Sequence, residues 1–111
     1  MSIKIRIILF LCFLNSSTLL SQNTITLSGY IYDEETKASL PYVNIGFVNE
    51  SVGTVSDDNG KFDLTFNPNE ISNSSVLQIS YIGYKTVELQ ASNFFAAIVK
   101  DNKFYLQPEP Y

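Results

Sequence analysis

The sequence predicts an all-β fold, a sandwich built from six or seven short strands. Apolar and polar residues alternate with a period of two in run after run, turn-forming residues recur at a spacing of roughly ten, and no segment shows a convincing amphipathic helical period. A β-barrel is the rival that this pattern leaves open. The 111 residues are enough for one domain.

Residues 1–22 are set aside first, because they read as a signal peptide. Lys4 and Arg6 form a short basic start, Ile7 to Leu14 is an unbroken apolar run, and Asn15 to Ser21 is a polar exit ending on a small residue. The run is too short to span a bilayer, which takes about 20 apolar residues. Cys12, the single cysteine, lies inside it and leaves with it. Leu11 stands where a lipid-acceptor cysteine needs a small neighbour. Removing Lys4 and Arg6 leaves five lysines against eleven Asp and Glu, so the charge becomes 5 − 11 = −6.

The domain proper is expected over 23–107, with 108–111 as a tail. From Thr24 onward Ile25, Leu27, Gly29 and Ile31 alternate with Thr26, Ser28, Tyr30 and Tyr32, a half-buried strand. Asp33 to Ser39 is a polar turn, and Pro41 precedes a second run in which Val43, Ile45 and Phe47 share one face. Gly53 to Ser56 is a short third strand. Asp57-Asp58-Asn59-Gly60 is the strongest turn signal, read as a tight hairpin, because Asn-Gly accommodates positive φ. Phe62, Leu64 and Phe66 then alternate with polar residues in a fourth strand. After a loop over 67–74 punctuated by Pro68, Ser75 to Tyr81 and Tyr84 to Leu89 read as strands separated by a corner at Gly83. Ser92 to Ala97 reads either as one helical turn or as the start of a strand, and Lys103 to Gln107 is extended up to Pro108.

The residue inventory excludes much chemistry. There is no histidine, so Ser-His-Asp and Cys-His arrangements are impossible, and with Cys12 removed neither usual zinc ligand remains. The five glycines are too dispersed for a phosphate-cradling loop. Asp57, Asp58 and Asp63 are close enough in sequence for acid–base work, but aspartates beside Asn-Gly favour turns through local hydrogen bonds, and that reading is preferred. The same run fails as an EF-hand, because its first and twelfth positions fall on Val55 and Phe66. Asn49-Glu50-Ser51 and Asn73-Ser74-Ser75 fit the glycosylation triplet and are read as turn residues. Five scattered lysines on an acidic chain argue against nucleic acid as a partner. No cofactor is expected.

Seven tyrosines leave a binding role open. Tyr30 and Tyr32 share a strand face by alternation and are candidates for a platform that holds a glycan or a peptide, the alternative being rings that cap sheet edges with wet hydroxyls. Tyr42, Asn49, Asp57 and Tyr84 lie in turns and are candidate contacts for a protein partner.

Four stretches, in order and at matching spacing, carry a resemblance. They are Ser28-Gly29-Tyr30-Ile31-Tyr32-Asp33, Leu40-Pro41-Tyr42-Val43-Asn44-Ile45, Gly53-Thr54-Val55-Ser56-Asp57-Asp58-Asn59-Gly60-Lys61-Phe62 and Ser80-Tyr81-Ile82-Gly83-Tyr84. Together they resemble the carboxypeptidase regulatory-like domain. The resemblance implies a seven-stranded Greek-key β-sandwich of the transthyretin (prealbumin) type. It also implies an accessory role with no catalytic residues to transfer, in an exported protein of the periplasm or outer membrane of certain Gram-negative bacteria. In that family the domain often precedes the plug and barrel of a TonB-dependent receptor, so an envelope or outer-membrane protein is the expected partner. Here the sequence reaches Tyr111 without receptor strands, which fits either a stand-alone domain or a piece of a longer product.

Overall fold

The computed structural model describes residues 23–109, so the signal-peptide reading of residues 1–22 and the last two residues of the expected tail lie outside the described residues. In chain order the strands are β1 (Ile25–Asp33), β2 (Asn44–Phe47), β3 (Gly53–Val55), β4 (Lys61–Phe66), β5 (Val76–Ser80), β6 (Val87–Gln90) and β7 (Lys103–Leu106). A helix, α1 (Ala91–Lys100), lies between β6 and β7, and a 3-10 turn, Pro68–Glu70, between β4 and β5. The strands form two sheets, ordered β4-β1-β7 and β3-β2-β5-β6.

β1 is the centre of the three-stranded sheet. It pairs antiparallel with β4, from Ile25↔Phe66 to Tyr30↔Lys61, and parallel with β7, from Tyr30↔Lys103 to Asp33↔Leu106. The second sheet is antiparallel throughout. Alternation turns Ile31, Phe62, Leu64, Phe66 and Leu106 inward from the first sheet and Ile45, Phe47, Leu77 and Ile79 inward from the second, and all nine are buried. Their contact drives the two sheets together.

The stretch read as a helical turn or a strand start is a ten-residue amphipathic helix. Ala91, Phe94, Phe95 and Ile98 recur at i, i+3, i+4 and i+7, so one face enters the core. Its start lacks a side-chain cap. The 73–75 loop supplies acceptors instead, with Ala91 N–H donating to Ser75 O at 2.7 Å and Ser92 N–H to Asn73 O at 3.3 Å. Asn102 ends the helix with φ +50°, and its carbonyl accepts from Tyr30 N–H at 2.9 Å, which delivers the chain into β7 alongside β1.

The Asp57–Gly60 turn forms, but it is not a hairpin within one sheet. Gly60 N–H donates to Asp57 O at 2.9 Å, and only Gly60 takes positive φ. β3 then pairs with β2 while β4 pairs with β1, so the turn carries the chain from one sheet to the other. Beside it the fully buried Ser56 hydroxyl donates to Leu40 O at 2.7 Å and accepts from Val43 N–H at 2.9 Å, satisfying backbone groups where the chain approaches β2. Past β7, Pro108 forms an antiparallel bridge with Tyr84, and Glu109 N–H donates to Gly83 O at 2.9 Å. The pairing therefore runs two residues into the stretch read as a tail.

Candidate functional site

Tyr30 and Tyr32 stand on the outward face of β1, because Ile31 between them points into the core. Their ring centroids are 6.3 Å apart with planes 16° from parallel. The parallel register sets Tyr105 of β7 beside Tyr32, at 5.6 Å and 29°, so three tyrosines form one row across two strands. Tyr105 is 43% exposed, whereas Tyr30 and Tyr32 are half-buried against their neighbours. The Lys37 ammonium lies 4.8 Å from the centre of the Tyr105 ring, within cation–π range, and also donates to Glu34 O at 2.6 Å. Lys61 and Lys103 are the cross-strand partners of Tyr30 on either side.

The row continues along β1 as hydroxyls. Thr26 and Thr65 share a hydrogen bond at 2.8 Å, and Ser28 donates to the Asp63 carboxylate. The face thus runs from a polar end to an aromatic and cationic end. Alternation in the sequence puts Tyr30 and Tyr32 on one face, as they stand here, but does not indicate Tyr105 or the grouping of lysines beside them. The alternation of Lys103 and Tyr105 with Phe104 and Leu106 is a usable signal, but only the pairing of β7 with β1 says what those residues stand beside.

The other candidates do not join this face. Tyr42 is 63% exposed with φ +61°; its hydroxyl donates to Asp58 Oδ1 at 2.8 Å, and that bond raises its pKa above the usual tyrosine value. Asn49 takes φ +67° in the exposed turn after β2. Asp57 closes its turn, its Oδ1 accepting from Asn59 N–H and Lys61 N–H, both at 2.9 Å. With Asp63 held by Ser28, each of the three carboxylates weighed for acid–base work has a local hydrogen-bond partner.

Tyr84 is a structural tie. Its hydroxyl donates to Asp33 Oδ2 at 2.6 Å, linking the corner before β6 to the end of β1, and its ring stacks on Tyr81 at 5.6 Å. Asp33 Oδ1 accepts from Glu35 N–H at 2.7 Å and Thr36 N–H at 2.8 Å. The hydrogen bond from Tyr84, followed by those backbone donors, holds the Asp33 pKa below 3.8, and the bond to Asp33 pushes the Tyr84 pKa up to about 12.

Tyr84→Phe removes the tie, and a Tm lower by about 4–8 °C at neutral pH is expected, as for loss of one net hydrogen bond in a small domain. The raised Tyr84 pKa means that its contribution is complete below pH 10.0 and is lost as pH rises through about 12. The lowered Asp33 pKa means that its contribution is present above 3.8 and is lost as pH falls through the depressed value. Thermal melts followed by circular dichroism should therefore show the gap between wild type and variant closing on the alkaline limb. A gap that stays constant there would contradict the assignment.

On the opposite side of the sandwich, Gly46 pairs with Gly53 and the sheet surface dips into an open trough of about 600 Å³, edged by Asn44, Val48, Val55 and Gln78. Gly46 is required there, since a Cβ would stand 2.9 Å from Val52 O. Among the described residues no group of three or more Asp, Glu, His or Cys is arranged to hold a metal ion.

A family model described as CarboxypepD_reg-like domain matches residues 27–106, which run from the interior of β1 to the last residue of β7. No curated protein matches the chain.

Proposed function

The chain belongs to the CarboxypepD_reg-like domain family, and from that premise we propose that it is a non-catalytic binding module of an exported, envelope-associated system, with the outer face of β4-β1-β7 as its recognition surface. The same proposal includes the finer fold reading, a seven-stranded Greek-key sandwich of the transthyretin type. Sheet orders of β4-β1-β7 and β3-β2-β5-β6, with β1 and β7 parallel, support it.

The observation that carries the functional reading is the row of Tyr30, Tyr32 and Tyr105 on the outer sheet face, each ring stacked on the next with planes within 29° of parallel. Rings mounted on paired strands are held more rigidly than rings on loops, so little ordering is needed on binding. A row of stacked tyrosines offers apolar edges and hydrogen-bonding tips together, which suits a sugar chain or an extended peptide laid along the sheet. An accessory domain of this kind would keep a polymer close to a receptor or hydrolase in the same envelope.

The test is retention on a glycan and peptide array, comparing wild type with Tyr32→Ala/Tyr105→Ala. Wild type is expected to bind a defined subset, with signal reduced about tenfold or more in the double variant. Equal retention by both proteins, or none by wild type, overturns the assignment of this face.

The trough favours a second reading, docking of a periplasmic or outer-membrane protein on β3-β2. Val48 and Val55, 38% and 52% exposed, offer apolar contacts beside glycines that let a partner approach the backbone. A specific envelope protein recovered by wild type and lost with Val55→Asp would favour this surface over the tyrosine row.

A further inference from the structure

We propose that the ligand of the tyrosine row is an acidic glycan, a polysaccharide carrying carboxylates along its chain; this rests on the reading of that face as the recognition surface. Charge placement supplies the argument. The described residues contain five lysines, and three of them, Lys37, Lys61 and Lys103, stand against the row. Tyr30 is flanked by Lys61 on β4 and by Lys103 on β7, and Lys37 covers Tyr105. On the paired strand faces Lys61 and Lys103 outnumber the single carboxylate of Asp63, and Lys37 joins them from the turn after β1; Asp57 and Asp101 lie in the flanking turns, where each accepts from the backbone N–H of Lys61 or Lys103. On a chain with eleven Asp and Glu, that excess of cations around three aromatic rings is the local feature that favours an anionic ligand.

The two kinds of group divide the work. The rings are stacked on one another and Lys37 lies over Tyr105, so tyrosine edges and hydroxyls meet the C–H and hydroxyl groups of the sugars, and the ammonium groups take the carboxylates. Thr26, Thr65 and the Ser28–Asp63 pair extend the face with donors and acceptors for sugar hydroxyls. From Thr26 to Tyr32 the strip is about 20 Å long at the usual rise per strand residue, enough for several sugar units. The face contains no arginine, the side chain that pairs phosphate in bidentate fashion, so a polynucleotide fits less well than a carboxylate polymer.

The experiment is titration calorimetry of the purified chain with polygalacturonate and alginate, set against fully methyl-esterified polygalacturonate, which keeps the sugar and removes the charge. Wild type is expected to bind an acidic polymer about tenfold or more tightly than the esterified one, and more weakly as salt rises. Lys61→Gln/Lys103→Gln, at exposed positions, is expected to lose about tenfold on the acidic polymer and to leave the esterified one unchanged. Equal binding of charged and esterified polymer, abolished in both cases by Tyr32→Ala/Tyr105→Ala, overturns the acidic ligand and leaves the recognition face standing. Tighter binding of polyglutamate or of a single-stranded oligonucleotide overturns the glycan. Polymer binding untouched by the tyrosine substitutions overturns the inference together with the face.

Discussion

Phe94→Ala is expected to destabilise the domain by about 3–5 kcal/mol, the range for emptying a buried phenylalanine site. The ring is fully buried on α1 and touches both sheets. It meets Phe47 of β2 edge-on at 6.4 Å and 89°, and lies within 29° of parallel to Phe62 of β4 at 6.5 Å and to Phe104 of β7 at 5.6 Å. No single neighbour can fill the space it leaves, because each is fixed by its own strand. Domains have about 5–15 kcal/mol of total stability, so the variant should melt roughly 15–30 °C lower and be partly unfolded at modest urea. The control is Val99→Ala on the same helix: Val99 is 87% exposed, and a change within about 0.5 kcal/mol is expected. A Phe94→Ala effect no larger than the control would show that α1 does not hold the sheets together.

That helix is also the element least legible in the sequence, for a physical reason. The spacing of Ala91, Phe94, Phe95 and Ile98 is present there, but neither customary punctuation mark accompanies it. Gln90 gives no side-chain cap, and no glycine follows Lys100; the 73–75 loop and a positive-φ Asn102 do those jobs. The strands are readable because a period of two survives in stretches as short as Lys61 to Phe66, where every second residue is buried. Which strands pair is not readable from alternation. The parallel partnership of β1 with β7 joins residues some seventy positions apart, and it alone makes Tyr105 and Lys103 part of the same surface as Tyr30 and Tyr32. Tyr84 reads as a free contact in the sequence for the same reason, since its partner Asp33 lies 51 residues away. Local chemistry is visible, as at Asp57 and Gly60, while the destination of the turn depends on sheet partners far off in the chain.

Gly60→Ala is expected to cost about 2–5 kcal/mol, and the figure has two separable sources. Gly60 has φ +77°, where a Cβ costs about 1–2 kcal/mol of backbone strain. That Cβ would also stand 2.6 Å from the carbonyl oxygen of Ile31 and 3.3 Å from Leu40 N. Neither atom is free to retreat: Ile31 O accepts from Leu40 N–H at 3.0 Å, and Ile31 N–H donates to Gly60 O at 2.8 Å. Forcing them apart adds an overpacking cost of about 1–3 kcal/mol. Gly83 provides the comparison, because its φ is +87° but a Cβ there would meet nothing within 4 Å, so Gly83→Ala should show the strain alone. Urea denaturation of both variants separates the contributions. A clearly larger loss at Gly60 means that close approach of the turn to β1 is needed; equal losses mean that only the backbone angle matters. The first result also bears on the binding face. Gly60 immediately precedes Lys61, so a turn pushed off β1 would shift the strand that sets Lys61 opposite Tyr30. The residual folded fraction of Gly60→Ala should then bind an acidic polymer more weakly than folded Gly83→Ala does.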